Sequence, residues 1–399
     1  MFVRAALVCA CLGAGQNVPP APAPFTLQSA FALAEEHNPA LAAARLGRAA
    51  DLAGIDVARE RPNPEAAFEA GRDAPHEVFS IGVPLEFGGK RGRRIDVAQA
   101  TAARTMADIA VQAVELRRAV RMAYFELVAA ANRAQVTTDL REFAERARNA
   151  ARDRFASGAA PRLESLQAEL ALAQADNEQE AARGRLTAAR AELNTLIGRP
   201  PDAGGDPSDS FDAGTLPADI AVAVAASPDI AAIDREIDEA AARERLARAM
   251  RTPDPTLSGG LLFDSPPDFT YGWKAGVAVT IPVFTRHDAG VRVEAAKIVQ
   301  LRAQRDARLR ELTGQATAAA ARARAARQRY LRYRDEIIPQ LATIESMAED
   351  SYRSGQTGLA AFLQAMQATR EVRLLGTDAG LEYQSAVADL ERALGGPLR

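Results

Sequence analysis

Two stretches of the sequence share one pattern although almost two hundred residues separate them: FASGAAPRLESLQAEL, residues 155–170, and YRSGQTGLAAFLQAMQ, residues 352–367. Each has an aromatic residue near its start, then Ser-Gly, then Leu-Gln-Ala beginning nine residues after the serine. Glycine adopts the left-handed backbone conformation at little cost, so Ser-Gly between two helix-forming stretches is typical of a tight turn. The sequence therefore predicts two helical hairpins with their tips at Gly158 and Gly355.

The repetition extends over most of the chain at an offset of about 190–198 residues. Asn38 and Ser227 are N-cap residue types, and each is followed by proline at the expected first position of a helix. Each half ends with a glycine suited to a helix C-cap and a proline beyond it, in AELNTLIGRP and ADLERALGGP. The predicted organisation is a signal peptide with a Pro/Ala leader at 1–24, a first structural repeat at 25–200, a linker at 201–218 and a second structural repeat at 219–397.

Within each half the sequence predicts a helix of about 23 residues, two extended segments, a very long helical stretch and a returning helix of about 40 residues. The long stretches run from about 89 to 156 and from about 287 to 353. At 1.5 Å per residue, about 67 residues would be roughly 100 Å long, which is too long for the core of a globular domain. Pro339 is expected to interrupt the second one. The predicted fold class is mainly α with a small β part.

The extended segments alternate strictly between apolar and small or polar residues, as strands with one apolar face do. One interpretation is a half-buried sheet in a soluble domain. The other is a membrane barrel, because the segments have the length of a tilted membrane-spanning strand and aromatic residues gather at one end. Four strands cannot close a barrel, whereas three copies of the chain would supply twelve. The lipid-facing residues would be Phe79, Ile81, Val83, Leu85, Tyr271, Trp273, Val277, Val279 and Ile281.

The first residues, FVRAALVCACLGAG, have an early arginine, a short apolar run and small residues after it, as secretory signal peptides do. Both cysteines of the chain, Cys9 and Cys11, lie in this run, so no disulfide framework is predicted. Cys11 also lies in a loose match to a lipoprotein cleavage site, which predicts a possible lipid anchor there. The sequence contains no stretch of about 20 apolar residues, so no transmembrane helix is predicted.

Charge and motif content argue against several functional classes. The net charge of −3 gives no electrostatic reason to expect nucleic-acid binding. The three histidines are scattered, and no Cys, His and carboxylate cluster has metal-ligand spacing. No nucleophile motif or phosphate-binding loop is present. We therefore predict no catalytic residue, no cofactor, no resident metal site and no enzyme activity.

The stretch from Glu336 to Ala368, EIIPQL…AEDSYRSGQTGLAAFLQAMQA, closely resembles the signature of the TolC-type outer-membrane efflux proteins. The passage VPLEFGGKRGRR, residues 83–94, resembles the strand-to-helix junction of the CzcC-like branch, which serves heavy-metal efflux. The duplicated order of elements is similar to that family over about residues 25–397.

The resemblance implies a homotrimer with a 12-stranded outer-membrane β-barrel, four strands per chain, continued by a long periplasmic α-helical barrel. The trimer would be the exit duct of a tripartite pump, with a periplasmic adaptor (membrane fusion protein) and an inner-membrane resistance–nodulation–division transporter as partners. Heavy-metal cations would be the cargo. A duct for drugs or for type I secretion, a periplasmic helical-hairpin adaptor and a cytoplasmic coiled-coil scaffold are the alternatives.

In this family the adaptor docks at the hairpin tips, and the tunnel closes there. The resemblance implies docking at Phe155, Ser157, Gly158, Leu166, Gln167, Tyr352, Ser354, Gly355, Leu363 and Gln364. We expect a gate in which hydrogen bonds close the tips, made of Arg154, Arg162, Glu164, Tyr352 and Arg353. The tips of the second repeat carry Ala361 and Gln364 where an acidic ring would need carboxylates, so a complete acidic gate is not expected.

Overall fold

The computed structural model describes residues 25–73, 75–212, 220–264 and 271–398. The predicted signal peptide and leader, Cys11, and the linker from 213 onward lie outside these residues. The helices are α1 Leu27–His37, α2 Pro39–Arg59, α3 Lys90–Ala156, α4 Arg162–Leu196, α5 Ile220–Ala225, α6 Pro228–Ala249, α7 Asp288–Arg332, α8 Ile338–Arg353 and α9 Leu359–Leu394. The strands are β1 Glu65–Ala70, β2 Glu77–Pro84, β3 Pro255–Phe263 and β4 Tyr271–Val279.

The two halves repeat one order of elements. A helix (α2 or α6) leads to a strand pair, a long arm and a returning helix (α4 or α9). The first arm, α3, is one uninterrupted helix of 67 residues. The second arm is broken between α7 and α8 by a five-residue π-helical segment, Tyr333–Ile337. The break confirms the effect expected of Pro339, because proline lacks the N–H that a continuous α-helix needs and clashes with the preceding turn.

The four predicted helix ends are confirmed in position. The side chain of Asn38 caps α2 by accepting a hydrogen bond of 2.9 Å from the backbone N–H of Leu41. Gly198 and Gly395 end their helices with φ of 69° and 78°, the left-handed conformation of a C-cap glycine. Ser227 is the N-cap residue of α6, with Pro228 following it, although its buried hydroxyl has no hydrogen-bond partner among the described residues.

The largest hydrophobic core lies where α1, α3, α4, α7 and α9 meet. A row of aromatic rings crosses it, in which Phe211 of the linker stacks on Phe125 of α3 and meets Tyr330 of α7 edge-on, with both centroid distances 5.9 Å. Gly380 of α9 leaves room for that linker ring, since a Cβ there would lie 2.5 Å from Phe211 Cδ2. The core therefore joins the two helical hairpins near the end opposite their tips.

A buried ion pair and its hydrogen bonds join α3 to α9 in the same region. Arg121 of α3 donates two hydrogen bonds of 2.9 Å to Glu391 of α9 and a third of 2.9 Å to Gln384. Gln384 in turn donates to the backbone carbonyl of Phe211. A guanidinium buried to this extent is tolerated because each charge has a partner and further hydrogen bonds. These contacts join helices 270 residues apart in sequence.

Asp229, at the start of α6, is a second buried charge. Its carboxylate accepts hydrogen bonds of 2.7 Å from Arg308 of α7 and 2.6 Å from Arg392 of α9. Burial alone would raise the pKa of this carboxyl, but the two arginines outweigh burial and hold its pKa below the ordinary value of 3.8. The aspartate thus stays ionised and joins three helices.

We expect Asp229→Asn to lower the free energy of unfolding by about 3 kcal/mol, because the buried carboxylate makes charged hydrogen bonds to two partly buried guanidinium groups and the amide cannot replace its charge. Urea unfolding of the detergent-purified protein would measure the loss. Asp234→Asn is the matched control: its aspartate pairs with Arg305 at 2.6 Å but is 47% exposed, so it should cost less than about 1 kcal/mol.

The same experiment has a defined pH dependence. A carboxyl whose folded pKa is depressed stabilises the protein at neutral pH and loses that contribution as pH falls through the folded value. The difference between wild type and Asp229→Asn should persist at pH 5–7 and shrink only below about pH 4. Equal stability of the two proteins at pH 7 would show that the charge of Asp229 is not needed.

Candidate functional site

The four strands form one antiparallel sheet in the order β1-β2-β3-β4, in which strands from both halves pair through β2 and β3. Side chains directly opposite in such a sheet point to the same face. The register places one row of large apolar residues across all four strands: Phe68, Phe79, Leu261 and Trp273. A second row joins Val83, Leu257 and Val277. One face of the sheet is therefore almost wholly apolar.

The opposite face carries small and polar residues. Ser80 and Ser258 lie on it, and the glycines at 82, 260, 272 and 276 lie there as well. The apolar face is exposed: Trp273 is 79% exposed and Val277 65%. A soluble sheet would bury its apolar face and expose the polar one, whereas this sheet exposes large apolar side chains along its whole width.

Two residues of the predicted apolar face lie beyond the strands. Leu85 follows the last residue of β2 and is only half-buried, and its backbone N–H donates to the carbonyl of Pro255. Ile281 lies two positions past the end of β4 and is 74% exposed. The strand β2 ends at Pro84, which supplies no N–H for a further ladder bond, and β4 ends at Val279, three residues before Pro282. The other seven residues lie within β2 or β4 and share the apolar face.

The hairpin tips have the predicted turn geometry. Gly158 and Gly355 have φ of 75° and 77°. The hydroxyls of Ser157 and Ser354 donate to backbone carbonyls at the ends of α3 and α8, at 3.0 and 3.2 Å. Phe155 is 45% exposed beside the first turn. The Ser-Gly pairs thus satisfy the free carbonyls at the end of one helix and turn the chain into the next.

A small hydrophobic core holds the two tips together. Tyr352 of the second hairpin is only 1% exposed and stacks on Phe362 with ring centroids 5.2 Å apart. Alanines of the first hairpin pack against these rings. The buried members are Ala147, Ala151, Ala168, Tyr352, Leu359, Phe362 and Met366.

Three of the five predicted gate residues contact one another. The phenol of Tyr352 donates a hydrogen bond of 3.0 Å to Glu164, and Arg154 donates one of 3.1 Å to the backbone carbonyl of Tyr352. Arg154 also lies over the tyrosine ring, 5.2 Å from its centroid. Burial, and then the carboxylate of Glu164, raise the pKa of the Tyr352 phenol. The tyrosine therefore stays neutral and links the two hairpins of one chain.

The other two gate residues do not join this cluster. Arg353 is 60% exposed and pairs with Glu349 of its own helix at 3.2 Å. Arg162 is exposed at the start of α4. Arg353 follows the buried Tyr352 in α8, so its side chain points about 100° around the helix from the tyrosine.

A groove between the first hairpin and α9 lies just behind the tips. Its cavity is about 360 Å³, and three of the predicted docking residues line it: Gln167, Leu363 and Gln364. Leu166 is 51% exposed on the same helix but does not line the groove. Sequence reasoning missed the rest of the lining, notably Leu140 and Phe143 of α3 and the 2.8 Å ion pair between Glu178 and Arg370. No sequence spacing links these residues, because they come from three different helices.

Two kinds of feature are absent from the described residues. No group of three or more His, Cys, Asp and Glu residues there is placed to hold a metal ion. None of the helices in the described part of the chain combines the length and apolarity that a membrane-spanning helix requires.

Comparison with known proteins gives consistent sequence matches. The family model described as outer membrane efflux protein matches residues 31–199 and 220–396. The chain is 28% identical over 274 residues to the cobalt-zinc-cadmium resistance protein CzcC of Cupriavidus metallidurans, covering 67% of this chain. That match spans 65% of CzcC, slightly less than two thirds of its length. The nickel and cobalt resistance protein CnrC of the same organism is 27% identical, with 67% of each chain covered.

Solved structures share the fold. A membrane protein from Pseudomonas aeruginosa superposes with a TM-score of 0.76 and 21% identity over 92% of both chains. CusC gives 0.76 at 17% identity, over 93% of this chain and 92% of its own. The Campylobacter jejuni outer membrane channel CmeC gives 0.77 at 16% identity, over 94% and 86%. At these identities the likeness establishes the architecture alone.

Proposed function

Because the chain belongs to the outer membrane efflux protein family, we propose that it is the outer-membrane exit duct of a tripartite pump that exports heavy-metal cations. The observation that carries the proposal is the sheet with one exposed apolar face, attached to helical arms that are far too long for a globular domain. An apolar face of that kind suits lipid, and arms of that length suit passage through the periplasm. The cation resistance of the relatives CzcC and CnrC supports the choice of cargo.

A single chain is incomplete as a duct. Strands β1 and β4 are the edges of the sheet, and an open edge in lipid would leave backbone N–H and C=O groups without partners. Three copies would give twelve strands and remove every edge. The proposed assembly is therefore a homotrimer in the outer membrane, with its helical arms in the periplasm. A periplasmic adaptor and an inner-membrane resistance–nodulation–division transporter would complete the pump.

The proposed function is tested by location and by cation tolerance together. Outer membranes would be separated from inner membranes, and the protein mass of the detergent-extracted particle measured by light scattering. A strain that lacks the gene should lose tolerance to cobalt, zinc, cadmium or nickel, and the wild-type gene should restore it. If the protein is a trimer in the outer membrane but the deletion strain loses tolerance only to drugs, the protein is a duct whose cargo is drugs rather than metal cations. A soluble monomer would overturn the duct and favour a periplasmic adaptor.

We also propose that the groove behind the tips receives the adaptor. Leu363 is one of the half-buried apolar residues of that groove, and Gln167 and Gln364 line the same groove with exposed hydrogen-bonding groups. An apolar residue at the centre with polar groups around it is the usual composition of a binding hot spot.

Leu363→Arg should weaken adaptor binding by about 2 kcal/mol or more, which is over tenfold, because a charge would be buried in the interface. Trimer yield should not change, and cation tolerance should fall to that of the deletion strain. Leu163→Arg is the control, since Leu163 is 63% exposed near the same tip but does not line the groove. Normal adaptor capture by the Leu363→Arg protein would place the docking surface elsewhere.

A further inference from the structure

The two edges of the sheet can pair with each other in a ring of subunits. Each strand is antiparallel to its neighbour, so β1 and β3 run one way and β2 and β4 the other. When β4 of one chain lies beside β1 of a second copy, the antiparallel alternation continues without a break. Such a head-to-tail contact closes into a ring if the rotation between copies is right.

The two edges carry opposite charges on the same face. Glu65 and Glu69 of β1 lie on the face that bears Ser80 and Gly82, opposite the apolar one. Lys274 of β4 lies on that same face, because the register runs from Ser80 through Gly260 to Lys274. Within the four strands no other Lys or Arg occurs, and the remaining acid, Glu77, lies on the apolar face at the far end.

All three charged side chains are exposed, and none has an ion pair with another of the described residues of its own chain. Lys274 extends over Gly260, and its Cε would lie 3.3 Å from a Cβ at that position. In the single chain the lysine therefore leans over β3, and turning it towards the open edge of β4 would bring its ammonium group to the next subunit. An unpaired lysine on one edge and unpaired glutamates on the other form complementary surfaces.

We propose that Lys274 forms an ion pair with Glu65 or Glu69 in strand β1 of the next subunit, and that this pair stabilises the contact between β4 and β1 in the trimer. The inference rests on the proposed function, since it requires three copies closed into a barrel. The partner is a second copy of this chain. The stagger of the strands decides which glutamate accepts, and each seam of the trimer would contain one such pair. On the inner, small-residue face the pair lies in water rather than lipid, so it adds to the backbone hydrogen bonds of the seam without replacing them.

The experiment is a charge swap read by the thermal conversion of trimer to monomer on SDS gels. Lys274→Glu places like charges at every seam, so the conversion temperature should fall by several degrees. Adding Glu65→Lys or Glu69→Lys to that variant should restore the temperature in one of the two double variants, and that variant identifies the partner. Thr256→Glu is the control, because it adds a carboxylate to the same face on an interior strand, four residues along β3 from the Gly260 that Lys274 overlies, and should leave the temperature unchanged.

The outcomes separate this inference from the proposed function. If the wild-type protein is not a trimer in the outer membrane, the proposed function fails. If the wild type is a trimer and Lys274→Glu does not change the conversion temperature, or if neither swap restores it, the ion pair is overturned while the duct stands. A change in ion selectivity without a change in conversion temperature would make Lys274 a charge of the pore and likewise overturn the pairing.

Discussion

Ile81→Arg should remove most of the trimer from the outer membrane, whereas Ser80→Arg should leave it in place. The two residues are neighbours on β2, but Ile81 points to the exposed apolar face and Ser80 to the small-residue face. An arginine facing lipid near the middle of a strand costs about 2–4 kcal/mol, and the trimer would carry three of them. Even the lower value is more than a tenfold loss.

The measurement is the amount of SDS-resistant trimer in separated outer membranes, with total expression as the reference. Ser80→Arg is a matched control because it has the same side chain, the same strand and almost the same depth. If both variants assemble equally well, the apolar face does not contact lipid. The sheet would then be covered by protein, as in the soluble interpretation of the alternating strands.

Tyr352→Phe should raise the ion conductance of the isolated trimer in planar bilayers, and Tyr352→Ala should raise it further. We propose that the link from Tyr352 to Glu164 holds the two hairpins of each chain in the closed arrangement. A hydrogen bond to a charged group contributes about 1.5–3 kcal/mol, and each trimer would have three such links. Phenylalanine keeps the stacking on Phe362 and removes only this bond, whereas alanine removes both.

Arg353→Ala serves as the contrast for these variants. Arg353 is adjacent in sequence but pairs only with Glu349 on the surface of its own helix, so its removal should leave the conductance unchanged. An equal rise in Arg353→Ala and Tyr352→Phe would mean that charge at the tip, rather than the tyrosine link, limits the current. Unchanged conductance in Tyr352→Ala would remove this cluster from the gate.

Local sequence rules predicted much of the fold. Alternation assigned the strands and their apolar face, and proline and glycine located the break at Pro339 and the turns at Gly158 and Gly355. Each of these signals depends on a residue and its near neighbours in the chain, which is why single-sequence reasoning could find them. The strand ends at Pro84 and beyond Val279 were placed too late by one or two residues, because apolar alternation continues after the ladder stops.

Contacts between distant residues could not be predicted in the same way. The sequence contains Glu164 and Tyr352, but nothing in it shows that the carboxylate of Glu164 accepts a hydrogen bond from the phenol of Tyr352, 188 residues away. The buried partners of Arg121 lie about 270 residues away on a different helix. Which arginine becomes buried depends on how each long helix is rotated about its axis against its neighbours. A small change in that rotation brings a different partner to the arginine, and the composition of the helix does not reveal the rotation.

The π-helical segment has a consequence for how the second arm packs. Tyr330 and Leu341 are both buried and lie eleven residues apart, which in an unbroken α-helix is just over three turns and would place them on the same face. A π turn takes up one residue more than an α turn, so the buried stripe of α8 is rotated by about 100° from that of α7. Above the segment, α7 packs against both α6 and α9, while below it α8 packs chiefly against α9. The extra residue thus turns the part of the arm nearest the tip by about a quarter turn, so the face that α8 packs against α9 is not the continuation of the face that α7 buries.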